Sequence, residues 1–277
     1  MFAPEPKLLE DHLALSISGL PDADAAKAAN DGLIDSFTQL GGKQVAASFV
    51  EQIEHSICIR SRLVEHRLQS RQGTGLKQLV ILGAGLDTLA FRKADLLRDL
   101  KVFEVDHPDT QKLKHQALER AGIDIPSNLT FAAFDFENQT LAEALRLSGI
   151  DHSVPTMLTW LGVHMYLDDE AVRATLAALG AFAAGSELVM DFMPEESAVL
   201  ADAVEDSISE LRKVVEQMGE PIKSRYDQET LESRLLDAGF TNADFYSGAR
   251  IVEEVLDGAR QAFCMPDEAV STLVAHI

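Results

Sequence analysis

Basic residues are scarce in this chain. Its 277 residues include 45 Asp and Glu but only 24 Lys and Arg, a formal charge of −21. The cations form no cluster, so a phosphate backbone would be repelled and nucleic acid is not an expected partner. Cysteine is nearly absent: Cys58 and Cys264 stand far apart, with no His or Cys at metal-ligand spacing. That excludes a disulfide framework and a zinc site, and reads as two buried thiols. Long apolar runs are missing too. The longest, "VPTMLTWLGVHMYL", is too short to span a bilayer, and "MFAPEPKLLEDHLAL" carries acids where a secretory leader needs a basic start. A cytoplasmic protein with no membrane partner is the expectation.

Hydrophobic residues make up 46% of the chain, enough to bury a full core in one large domain. Residues 8 to 69 contain no alternating segment, and the stretch from Asp31 to Leu68 repeats apolar residues at helical spacing. The spacing predicts an N-terminal helical region over residues 1–70, interrupted at Gly41 and Gly42. From Lys77 the pattern changes to short β-branched runs, "QLVIL", "KVFEV", "LTFAAF", "PTMLTW" and "SELVMDF", separated by helical segments. Such β/α alternation marks a parallel sheet covered on both faces. This cofactor-binding core is expected over 77–192. An acidic helical stretch, Glu195 to Glu220, reads as a lid within 193–225. A further helix and two weaker strand candidates, "NADFYS" and "RQAFCM", over 226–277 complete a single domain of residues 1–277.

The segment "QLVILGAGLDTLAFR" runs a strand into a glycine pair and then an amphipathic stretch. A glycine corner between strand and helix lies at the carboxyl end of the sheet, where α/β proteins bind ligands. Gly83 and Gly85 let a ligand approach the backbone. A dinucleotide fingerprint needs a third glycine at position 88, but Thr88 stands there. Asp87 also puts a carboxylate where a pyrophosphate would sit. A phosphate loop is absent, since no Lys follows the glycines at the required spacing.

Glu104 and Asp106 end the next strand on one side of it by the period-two rule, Asp106 lying twenty-one residues after Gly85. Taken singly, a strand-end acid is most often solvated. At this spacing from the glycines, a carboxylate suits the two hydroxyls of an unphosphorylated ribose. Asp135 and Phe136 close a third strand, where a carboxylate could accept from an exocyclic amine and the next N–H could meet a ring nitrogen.

Together "ILGAGLDTLAFR", "VFEVDHP", "FDFE" and "PTMLTWLGVHMYLDDEAV" resemble the bacterial branch of the leucine carboxyl methyltransferase-like family of S-adenosylmethionine-dependent enzymes. The resemblance covers roughly Arg60 to Asp191. It implies the class I methyltransferase fold, a Rossmann-like α/β sheet of seven mostly parallel strands with the last reversed, helices on both faces and an N-terminal helical cap. It also implies S-adenosyl-L-methionine as cofactor. Gly83 then lines the methionine moiety with Gly85 beside it, Asp106 holds the ribose, and Asp135 with Phe136 contacts adenine. An N-terminal arginine, Arg60 in preference to Arg62, pairs with the methionine carboxylate. The sequence departs at Leu161, where the carboxyl methyltransferases carry a glutamate; this speaks against protein-phosphatase methylation and leaves an acidic contact to the amino group open.

The expected function is therefore O-methylation of a small-molecule carboxylate or hydroxyl, without a metal. A carboxylate acceptor needs no base, whereas an alcohol or phenol does, and His164 is the weak catalytic candidate; a lone His is more often structural. Trp160 reads as core or cofactor-edge packing, Tyr166 as structural, and Asp191 as facing the substrate chamber. Two other classes remain: a nucleotide-dependent oxidoreductase on the same architecture, disfavoured by Thr88, and a cofactor-binding protein without transferase activity. The acceptor's identity and assembly as a homodimer stay open.

Overall fold

The structure, a computed structural model, describes residues 8–38, 42–135, 139–194, 221–255 and 271–277. Seven strands form one sheet: β1 Gln78–Leu82, β2 Lys101–Asp106, β3 Leu129–Ala133, β4 Thr156–Trp160, β5 Glu187–Phe192, β6 Asn242–Ser247 and β7 Ser271–His276. Their order is β3-β2-β1-β4-β5-β7-β6. The pairs among β1 to β5 are parallel, and β7 runs antiparallel between β5 and β6. This is the arrangement the resemblance implied. The reversed strand is nonetheless Ser271–His276 rather than "RQAFCM", which lies outside the described residues. So does most of the expected lid.

Every residue of β1, β4 and β5 is buried, which is why these runs carry no alternation. The period of two still sorts their side chains. Leu79 and Ile81 join Ile59, Leu63 and Met157 on one face, while Val80 and Leu82 join Leu158, Trp160 and Leu176 on the other. Trp160 is thus core.

Among the described residues the α-helices are α1 Ala14–Ser18, α2 Ala23–Ser36, α3 Lys43–Ser70, α4 Leu89–Arg92, α5 Pro108–Ala121, α6 Leu141–Leu147, α7 Asp169–Gly180, α8 Gln228–Asp237 and α9 Gly248–Val255. Side-chain oxygens of Thr140, Asp168 and Asp227 accept from the backbone N–H groups of Glu143, Ala171 and Thr230, fixing where α6, α7 and α8 begin. Gly42 caps α3, consistent with the expected interruption. The N-terminal helices pack on the sheet, since Ile59, Leu63 and Leu68 of α3 are buried against β1 and β4. Truncating one of these to Ala would cost about 2–5 kcal/mol.

Two ion networks fasten α3. Glu187 at the start of β5 is fully buried and accepts from Arg67 Nε at 2.6 Å and Nη2 at 2.5 Å. Two residues before Arg67, Glu65 is also fully buried, bonded to Arg62 at 2.5 Å and to Arg92 of α4, with Lys93 at 3.3 Å. Removing the cations from either site would leave a buried carboxyl group without its partners, which is costly.

Candidate functional site

β1 sits between β2 and β4, and Leu82 pairs with Val105 on one side and Trp160 on the other. The strands therefore end level, and a crevice opens where the sheet's winding changes direction. Its floor is the turn after β1. Gly83 and Gly85 both adopt positive φ, +65° and +49°. Gly83 N–H donates to Val105 O at 2.8 Å, which ties the turn to β2.

Asp106 ends β2 directly beside this turn. Its Oδ2 accepts from Gly85 N–H at 2.5 Å and its Oδ1 from His107 N–H at 2.6 Å. Two backbone donors thus orient the carboxylate, and each oxygen keeps a lone pair for a hydroxyl. Glu104, two residues earlier in the same strand, has a different partner. It is 1% exposed between β2 and α5, and Lys114 Nζ donates to its Oε2 at 2.5 Å. Burial pushes the Glu104 carboxyl up to about 7 despite the lysine.

A cavity of about 380 Å³ opens over the glycine turn, lined by Arg60, Gly83, Asp87, Leu161, Gly162 and others. A larger hollow of about 740 Å³ lies over α6 and α7, with no Asp, Glu, Lys or Arg in its lining. Of the two candidate arginines, Arg60 lines the smaller cavity, while Arg62 is bonded to Glu65. Asp191, expected at the substrate chamber, is instead turned to Arg60. Arg60 Nη1 donates to its Oδ2 at 2.5 Å, and Gly162 N–H donates to its Oδ1 at 2.8 Å.

Asp87 Oδ1 accepts from Leu89 N–H at 2.6 Å, so a side-chain carboxylate already occupies the start of α4. That helix has only four residues. Thr88 is buried, donates to Asp11 Oδ2 at 2.6 Å and accepts from Arg92 Nε at 2.9 Å. No pyrophosphate seat remains at this corner.

His164 lies in a 3-10 turn after β4 and is fully buried. Its Nε2 accepts from Met193 N–H at 3.3 Å, and burial pushes the imidazole down, so it is neutral with its proton on Nδ1. The lone pair that would take a proton is engaged. Asp135 follows β3, half-buried, its carbonyl accepting from Gln139 N–H at 3.0 Å. Phe136 lies outside the described residues.

Asp11 was not singled out in the sequence. Its Oδ1 accepts from Leu13 and Ala14 N–H while its Oδ2 holds Thr88, so the segment before α1 forms part of the cavity wall with Leu9. The short-range cap around Asp11 is a legible pattern; its partner 77 residues on is not. Among the described residues no group of His, Cys, Asp and Glu could hold a metal ion, and no helix is long and apolar enough to cross a membrane. Cys58 is half-buried, its thiol pushed up by burial, and Cys264 lies outside the described residues.

The sequence model of leucine carboxyl methyltransferases matches residues 2–180. The chain belongs to the leucine carboxyl methyltransferase family. Bacterial relatives agree: Bacillus subtilis (strain 168) YktD, named "Putative S-adenosyl-L-methionine-dependent methyltransferase", is 33% identical over 189 residues, covering 68% of this chain and 62% of its own. A Mycolicibacterium paratuberculosis protein of the same description is 34% identical over 144 residues, 52% of this chain and 45% of its own. The chain therefore spans about half the length of the curated relatives it matches. Among solved structures, a DUF574-family protein from Streptomyces avermitilis superposes with TM-score 0.59 at 18% identity, covering 95% of this chain and 94% of its own. A Thermobifida fusca protein described as a "putative methyltransferase" gives 0.60 at 18%, with 88% and 92% covered. These neighbours share the class I methyltransferase fold with this family member.

Proposed function

We propose that the protein is an S-adenosyl-L-methionine-dependent O-methyltransferase acting on a small molecule with a carboxylate or hydroxyl. The observation that carries this reading is the crevice at the strand ends. Its glycine turn is bonded to a ribose-type carboxylate, Asp106, and its wall carries a guanidinium, Arg60. These residues fit the cofactor's chemistry. Gly83 offers backbone without a side chain to the methionine chain, Arg60 a fork for its carboxylate, and Asp106 two acceptor oxygens for the ribose. Asp135, with Phe136 after it, is the proposed adenine contact. The names of the bacterial relatives support the same cofactor. When bound, S-adenosylmethionine supplies a sulfonium methyl group open to in-line displacement.

The chain's own residues have two tasks, to hold the acceptor within about 3–3.5 Å in line and to exclude water. Leu9, Ile57, Leu86 and Leu161 give the cavity apolar walls suited to the second. His164 is not proposed as a base, because its accepting nitrogen is occupied. A carboxylate acceptor, ionised at pH 7, needs none. The dinucleotide reading loses support to the Asp87 carboxylate at the start of α4. The reading is tested by calorimetry with S-adenosylmethionine and S-adenosylhomocysteine, followed by a screen for S-adenosylhomocysteine release over carboxylic acids and phenols. Binding without release across that screen would leave a cofactor-binding protein; binding of NADH alone would overturn the proposal.

A further inference from the structure

We propose that Asp191 is a positioning residue that holds the Arg60 guanidinium ready for the carboxylate of the bound amino-acid chain; this rests on the reading of Arg60 given above. Three elements meet at this carboxylate. It lies one residue before the end of β5, it accepts from Arg60 of α3 at 2.5 Å, and it accepts from the N–H of Gly162, in the turn after β4, at 2.8 Å. The Asp191 side chain is 7% exposed and that of Arg60 18%. The pair is therefore poorly screened.

The turn after β4 fixes the other side of the guanidinium. A β-carbon on Gly162 would lie 2.7 Å from Arg60 Nη2 and 3.3 Å from Cζ, so the planar group rests directly on the glycine backbone. Gly162 also has a φ of +70°, which favours glycine. Arg60 is thus gripped at Nη1 by Asp191 and supported beneath Nη2, while the residue as a whole lines the cavity. A guanidinium has five donors in a fixed fork, and among the described residues Asp191 is the only side chain bonded to it. The remaining donors can serve a second carboxylate without breaking the first pair.

The charge of Asp191 does not defeat this arrangement. The amino-acid end of the cofactor carries an ammonium as well as a carboxylate, so repulsion of one is offset by attraction of the other. What Asp191 contributes is order in a side chain whose stem has several rotatable bonds, and immobilising such a group on binding is costly.

The test compares two nucleosides on wild type, Asp191→Asn and Asp191→Ala by calorimetry. S-adenosylhomocysteine has the amino-acid chain; 5′-methylthioadenosine lacks it but keeps adenine, ribose and sulfur. Asp191→Asn should weaken S-adenosylhomocysteine roughly tenfold, the effect of a charge-assisted contact, and leave 5′-methylthioadenosine within about a factor of two. The latter also reports that the pocket is folded. In an Arg60→Met background, adding Asp191→Asn should cause no further loss, because Asp191 acts through Arg60. Parallel weakening of both nucleosides would overturn the proposal in favour of a general structural role. No weakening of either, or tighter S-adenosylhomocysteine binding, would show that Arg60 needs no positioning or that Asp191 competes for it. Failure of the wild type to bind either nucleoside would instead bring down the cofactor reading, and this proposal with it.

Discussion

A β-carbon built on Gly83 would stand 2.2 Å from Cγ2 of Val163. The glycine turn after β1 and the turn after β4 are therefore in contact before any ligand is considered. Gly83 is required by its neighbour as well as by its φ of +65°.

Gly83→Ala should destabilise the protein by about 1–3 kcal/mol through overpacking, apart from any effect on ligand. Val163→Ala removes the offending methyl, so the double variant should recover part of that loss and keep the part due to positive φ. Chemical denaturation of the two single variants and the pair measures the coupling. Strict additivity would mean that the two turns do not touch.

Asp106→Ala should weaken S-adenosylhomocysteine by about 1.5–3 kcal/mol, as expected for hydrogen bonds to a charged group. The partly exposed Gly85 N–H can turn to water, so the fold should survive. Calorimetry of the variant decides; unchanged affinity in a folded protein would remove the ribose from this carboxylate.

The Glu104–Lys114 pair predicts a pH dependence. With the folded carboxyl near 7 and the unfolded one near 4.5, the folded state binds more protons between those values. The stability this group contributes is full below pH 4.5 and is lost as pH rises towards 7, by at most about 1.4 kcal/mol per unit. Replacing both partners, Glu104→Gln with Lys114→Met, avoids a lone buried charge. Melting curves at pH 5, 6 and 7.5 should show a smaller fall for the double variant than for wild type.

His164 predicts the opposite sign. Its folded imidazole is depressed below the usual 6.5 by burial, so the unfolded chain takes up a proton first as pH falls. Its contribution is present above about 6.5 and lost below. His164→Phe should abolish that loss and, by leaving Met193 N–H without its acceptor, cost about 1–3 kcal/mol at neutral pH. Melts of both proteins between pH 5 and 8 provide the comparison.

Six of the seven strands were legible because each is a short apolar or β-branched run bounded by turn residues, as in "QLVIL" and "SELVMDF". The seventh, "STLVAH", was missed in favour of "RQAFCM"; its two polar ends blurred a pattern that its buried centre now explains. The strand order leaves no local trace, and family resemblance supplied only the count of seven strands and the reversal of the last. Within the site, the glycine pair and Asp106 were legible because backbone freedom and strand-end acids are local signals. The partner of Glu104 was not legible, for a physical reason. Period two correctly places it with Asp106, but it cannot show that Lys114, one helix later, reaches back to bury it. The Arg60–Asp191 pair spans 131 residues, and no spacing rule reports such a meeting.

Arg60 meets Asp191 and Arg67 meets Glu187, so α3 runs against the direction of β5 and grips it at both ends. Seven residues of helix advance about 10 Å, and four residues of strand about 13 Å, lengths close enough for long side chains to bridge. The two arginines also lie two helical turns apart and face the same way. The pairing acts as a vernier. One residue inserted between Arg60 and Arg67 would rotate one arginine by about 100° relative to the other, so only one of the two contacts could be kept. A stretch of helix that looks permissive by composition is therefore fixed in length, and the guanidinium at the crevice is set in register by an acid at the opposite end of the strand.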